Sequence, residues 1–203
     1  MLSNTQLEEL AVKMSVPLEW VGFKDMLPKK LKYNRTYIIN MDDAYDADGN
    51  ANEGTHWTAF QVNEYPNGNK KAMYFDSYGA PPPEIVKKRV KDNFNCGLPY
   101  SKKDIQSMMA DVCGWYCLAW SHFCNAYEQR SKCLYQDSEM FLDLFDDLNK
   151  SVDWKRNEYW LSQFFREPNQ KGSGIEKVWK DTTLADTHTM KGTPIEVEVK
   201  MNK

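Results

Sequence analysis

The 203-residue chain is poor in several of the features that decide function class. No stretch approaches the roughly 18 consecutive apolar residues that a membrane-spanning helix needs, so no membrane association is expected. The opening MLSNTQLEEL lacks the basic-then-apolar layout of a signal peptide, which points to an intracellular protein. Positive charge is not in excess: 26 Lys and Arg stand against 29 Asp and Glu, giving a net charge of −3. A surface built throughout to grip nucleic acid is thereby excluded, and DNA binding is expected to be weak or absent. Five cysteines, an odd number lying between Cys96 and Cys133, suit a reducing compartment better than a disulfide framework. None forms a C-x2-C pair, so zinc fits poorly and no metal is expected. Neither an internal repeat nor a low-complexity block is visible.

Large apolar side chains, by contrast, are plentiful. Hydrophobic residues make up 41% of the chain and aromatics 13%, including seven tryptophans, enough for one well-cored domain. Ser3 or Asn4 is placed to cap a first helix running to about Met14, with Leu7, Leu10 and Val12 or Ala11 as its buried stripe. After a mixed segment containing Trp20, Phe23 and Leu27, Tyr37-Ile38-Ile39 reads as a strand. Residues 42 to 54, DDAYDADGNANEG, read as a solvated loop, because the acidic spacing does not match a calcium loop. THWTAFQV (55 to 62) and KAMYFDSY (71 to 78) read as antiparallel strands joined at Pro66-Asn67-Gly68.

Pro81-Pro82-Pro83 then presets a helix from about Glu84 to Asn95, with Ile85 and Val90 facing inward. Further helices are expected from Cys113 to about Arg130 and from Asp137 to about Asn149, followed by an aromatic segment around Trp160, Phe164 and Phe165. The single domain is expected to span residues 1 to 165. REPNQKGSG (166 to 174) reads as a linker, and residues 166 to 203 as a tail with one edge strand in TPIEVEVK.

Cys113 opens a strongly apolar helical run. A helix N-terminus offers partial positive charge and free N–H groups, which favour the thiolate that makes cysteine a nucleophile. Gly114 removes bulk beside it, so that a substrate carbonyl could approach, whereas Cys117 and Cys124 recur at core positions of the same helix and read as small hydrophobes. Attack on an acyl group creates an oxyanion, and the Gln106 amide, seven residues ahead of Cys113, would share its stabilisation with the Cys113 backbone N–H.

Of the three histidines, His56 leads as general base, since His122 turns to another face of the helix and His188 lies in the tail. Asp76, on the neighbouring strand, is the acid that would orient His56. Asp111 is the rival, though its position two residues before Cys113 suits a helix cap.

The chain order His56, Asp76, Gln106, Cys113 resembles that of the adenain-type cysteine proteases, the adenovirus maturation protease and its relatives in giant viruses, virophages and Maverick/Polinton elements. THWTAF, YFDSYGAPPP and Gln106 followed by CGWYC carry the resemblance, and YFDSYGAPPP is closest to the virophage and Polinton branch. LEELAVK and WVGFKD also look similar to the family's opening helix and loop, so the likeness covers roughly residues 3 to 127.

The resemblance implies an α+β, papain-like fold with a central antiparallel sheet and the nucleophile at the start of a buried helix. It implies a viral thiol endopeptidase that cleaves capsid-precursor polypeptides near Gly-rich sites during virion maturation, acting as a monomer in the virion and the infected cell, in a cytoplasmic viral factory or the nucleus. By the same resemblance His56 is the base, Asp76 its partner, Gln106 the oxyanion donor and Cys113 the nucleophile, with Trp57 and Gly114 beside the substrate. No cofactor is required. A viral peptide activator is compatible with the family, and Cys96 lies near a position from which one could be tethered, although it also reads as a plain buried thiol. Adenovirus members carry Glu where this chain has Asp76. Asp occurs in the Ulp-type deconjugases of the same clan, which cut after the Gly-Gly end of a ubiquitin-like modifier, so that activity is the alternative. A catalytically silent binding module on the same fold is a third.

Overall fold

The computed structural model describes residues 1–126, 133–150 and 153–165. The expected linker, the edge strand in 193–200, His188 and the end of the Cys113 helix near Arg130 lie outside them. The fold is α+β, built on one four-stranded sheet in the order β1-β2-β3-β4: Leu18–Phe23, Arg35–Asn40, Trp57–Glu64 and Lys70–Phe75. The β2–β3 and β3–β4 pairs are antiparallel, but β1 pairs parallel with β2. The sheet is therefore mixed, and the expectation of an antiparallel one is corrected. β1 was hidden in sequence because only Val21 and Gly22, adjacent residues that cannot share a face, are buried along it.

Period-two alternation in the other strands builds a core on each face. Ile38, Ala59, Met73 and Phe75 join one cluster, while Tyr37, Ile39, Phe60, Val62 and Tyr74 join the other. The second face is covered by α2 (Glu84–Phe94) through Val86, Val90 and Phe94. Because the helix starts at Glu84, its inward stripe falls at 86, 90 and 94, so Ile85 points outward and is 37% exposed, against expectation.

The first face carries α1 (Asn4–Lys13), α3 (Cys113–Ala126), α4 (Leu134–Leu142) and α5 (Trp154–Gln163). Ser3 caps α1 in a reciprocal capping box with Gln6, and Ala11 is buried while Val12 is open. α4 begins and ends earlier than expected. The acidic Asp143, Asp146 and Asp147 would oppose the dipole at the end of a longer helix, and the chain turns at Asp143 instead.

α3 is buried on every side over Trp115–Trp120, which explains its unbroken apolar run. Each of these large side chains contributes about 1.5–3 kcal/mol on leaving water. Toward its C-terminal end α3 meets neutral polar groups of the sheet. Thr36 Oγ1 lies 2.5 Å from Ser121 Oγ and donates to Gln61 Oε1 at 3.0 Å, while Gln61 and Asn125 exchange amide bonds of 3.0 and 3.1 Å. These buried groups satisfy one another and fix the register of helix on sheet.

Candidate active site

The β3–β4 hairpin turns through Pro66-Asn67-Gly68, with Gly68 at φ +77°, and its open end holds two of the expected residues. His56 precedes β3 and Asp76 follows β4, so both stand just outside the ladder rather than within the strands. Freed from the pleat, the side chains meet: His56 Nε2 lies 2.9 Å from Asp76 Oδ1. The His56 backbone is fixed by the Met41 N–H donating to its carbonyl at 2.9 Å. The Asp76 carboxylate is buried and also accepts the Tyr78 N–H at 2.8 Å.

Cys113 is the first residue of α3. Its Sγ accepts the backbone N–H of Trp57 at 3.4 Å and interacts with the His56 ring closely enough to raise the ring's pKa. With Nε2 taken by Asp76, Nδ1 is the ring atom left for the sulfur. Burial pulls the His56 pKa down, but the bond to Asp76, then the bond to Cys113, and the charges of both outweigh it and push it from 6.5 up to about 9. The ring is therefore an imidazolium at neutral pH.

The other helix thiols differ. Cys117 donates to the Trp57 carbonyl at 3.4 Å, and burial pushes both Cys117 and Cys124 well above the ordinary thiol range.

Gln106 is brought alongside by the 101–112 segment, which crosses the turn after β4. Ile105 N–H donates to the Ser77 carbonyl at 2.8 Å, and the Ile105 carbonyl accepts from Tyr116 Oη and Asn157 Nδ2, each at 3.0 Å. Gly79, at φ +70°, lets the backbone of Lys102 pass where a Cβ would sit 2.6 Å away. The Gln106 side chain is held at every polar atom. Ser77 Oγ donates to Oε1 at 2.7 Å, while Nε2 donates to Tyr78 Oη at 3.0 Å and to the Ala110 carbonyl at 2.6 Å.

His56, Asp76, Cys113 and Gln106 thus gather at one end of the sheet through shared neighbours. Trp57 and Gly114, expected beside the substrate, both pack inward. The Trp57 indole is 3% exposed and donates to the Leu2 carbonyl at 2.9 Å, so only its backbone N–H serves the sulfur. The bare Cα of Gly114 faces Leu7 and Leu2, where a Cβ would meet carbons at 3.2 and 3.4 Å, so its missing side chain makes room for the N-terminal segment. Asp111 pairs with the Met1 amine at 3.8 Å, and His122 Nδ1 with the Met14 carbonyl at 2.8 Å. Cys96 is half-buried against the α2-side core.

Ser77 and Tyr78 were missed as site residues, although both lie inside the DSYG turn that signals the site. The Tyr78 ring also rests on His56, centroids 4.7 Å apart. No protein-family model matches the chain, and no curated protein matches it. Among the described residues no group of three or more His, Cys, Asp or Glu is placed to hold a metal. The arrangement joins a charged ring to a thiol at a helix start, which is the requirement for acyl transfer through a thioester.

Proposed function

We propose that the chain is a cysteine endopeptidase with an adenain-like, papain-like fold that cleaves capsid-precursor polypeptides at Gly-rich sites during virion maturation, inside the infected cell and the virion. The observation that carries the chemistry is the Asp76–His56–Cys113 chain of contacts, 2.9 Å at its carboxylate end, with the sulfur at the head of α3. The motifs THWTAF, YFDSYGAPPP and Gln106…CGWYC support the substrate class by resemblance.

In this mechanism the Cys113 sulfur adds to the scissile carbonyl, and the carbonyl oxygen becomes an oxyanion held by donors around Gln106 and the Cys113 backbone N–H at the α3 start. The His56 imidazolium gives its proton to the leaving amine, and the thioester forms. Neutral His56 then takes a proton from water, which attacks the thioester, and Cys113 is released with the acid product. Asp76 holds the ring in place and stabilises its charged form. The chemistry uses side chains and water only.

Asp at position 76 keeps an Ulp-type deconjugase as the second reading. Incubation with a capsid precursor, and separately with a modifier extended beyond its Gly-Gly end, separates the two. Cleavage of the precursor that disappears in Cys113→Ala, with the fold intact by circular dichroism, is the expected result. Cutting only the modifier fusion assigns the deconjugase, and full precursor cleavage by Cys113→Ala sinks the proposal.

A further inference from the structure

Both amide hydrogens of Gln106 are already committed. One goes to the Ala110 carbonyl at 2.6 Å and the other to Tyr78 Oη at 3.0 Å, while Ser77 Oγ occupies Oε1 and fixes which way the amide faces. Gln106 is 2% exposed, so its side chain is walled in as well as bonded. A direct bond from Nε2 to an oxyanion would require breaking one of these bonds in a buried place. Tyr78 is in the opposite condition. Its oxygen accepts from Gln106, its own O–H has no acceptor among the described residues, and its ring lies half-buried against His56.

Resting on the cysteine-protease reading, we propose that Tyr78 Oη is the donor that touches the oxyanion, and that Gln106 acts behind it as a positioning residue. Accepting the Gln106 N–H orients the phenol and strengthens it as a donor, because hydrogen bonds in a chain polarise one another. Burial, and next the charge of Cys113, push the Tyr78 phenol above its ordinary range, so the O–H stays protonated wherever His56 is charged. The Tyr78 ring lies against His56, centroids 4.7 Å apart, which sets the phenol beside the base that serves the Cys113 sulfur. The oxygen of the tetrahedral adduct forms on the carbon bonded to that sulfur, within the neighbourhood of the phenol. The free O–H therefore serves an acceptor that exists only during reaction, which is where a hydrogen bond accelerates rather than merely binds.

The test compares two reactions of one thiol. Hydrolysis of N-acetylglycylglycine methyl ester passes through an oxyanion, while alkylation of Cys113 by iodoacetamide displaces iodide and forms none. Tyr78→Phe keeps the ring on His56 and removes only the hydroxyl. Its kcat for the ester should fall about 10²–10³-fold with KM nearly unchanged and the alkylation rate of Cys113 intact. Gln106→Ala added to Tyr78→Phe should cost little more than either alone, since the two act as one unit.

Ester turnover retained within about threefold in Tyr78→Phe would overturn the donor and return that role to Gln106. Equal losses of turnover and alkylation would overturn it too, by showing that the phenol only supports His56. If the wild type hydrolyses no ester, the protease reading fails and takes the donor with it, a result separable from the others because it precedes any substitution.

Discussion

The two ends of α3 solve different problems with similar materials. At the C-terminal end Ser121 and Asn125 meet Thr36 and Gln61 in a buried network of neutral groups in which donors and acceptors satisfy one another. At the N-terminal end Cys113 meets a charged imidazole backed by a buried carboxylate, the Trp57 N–H faces the sulfur, and the Tyr78 O–H has no acceptor among the described residues. Saturated neutral polarity fixes the register of helix on sheet, whereas unsaturated, charged polarity at the end of the sheet is available for chemistry. Trp57 shows the contrast within one residue. Its N–H donates to the Cys113 sulfur, while its C=O accepts the proton of Cys117. One thiol is held as an acceptor and the other as a donor.

The largest effects should come from the N-terminal end. Cys113→Ala and His56→Ala should each abolish cleavage of a capsid precursor, with thermal unfolding showing the domain still folded. Next, Asp76→Asn should reduce kcat by about 10²–10⁴-fold, because the ring loses the partner that orients it.

The same substitution should move the alkaline limb of the pH–rate profile downward. His56 is raised to about 9, so the charged ring's contribution is complete below 6.5 and is lost as pH rises through about 9. Without Asp76 that loss should begin at lower pH, and a rate profile between pH 5 and 10 checks it. An alkaline limb that stays in place would break the assignment of Asp76 as the group that holds the proton on the ring.

Substitutions at the other end should do the converse. Gln61→Ala strands buried partners on β2, β3 and α3, so unfolding free energy should drop by about 1–3 kcal/mol while kcat of the folded enzyme stays unchanged. Loss of turnover in the folded variant would show that the two ends of the helix are coupled. The smallest effect should come from His122→Ala, which removes one bond to the Met14 carbonyl and should cost about 1 kcal/mol in denaturant titration with no change in rate.

What could be read from the sequence follows the same division. The His56–Asp76 meeting was legible because a tight hairpin forces neighbouring strands to share an open end, and Cys113 because an apolar run declares its own start. Contacts that depend on three segments converging were not. Nothing local indicates that Ser77 and Tyr78 clasp Gln106, since the loop carrying Gln106 reaches the DSYG turn only after α2 has crossed the sheet. The inward packing of Gly114 and Trp57 was hidden for a related reason: it depends on Leu2 and Leu7, which are distant in sequence from both. β1 escaped because half-burial erased its alternation, and Ile85 because the helix phase depends on the start residue that Pro83 sets.

The most direct measurement labels the native protein with iodoacetamide at neutral pH and follows each cysteine by mass spectrometry, in the wild type and in His56→Ala. Cys113 should react well ahead of the half-buried Cys96 and Cys133 while Cys117 and Cys124 stay unlabelled until the protein unfolds, and His56→Ala should erase that lead. Labelling of Cys113 no faster than Cys96, or a lead that survives without His56, would contradict the account.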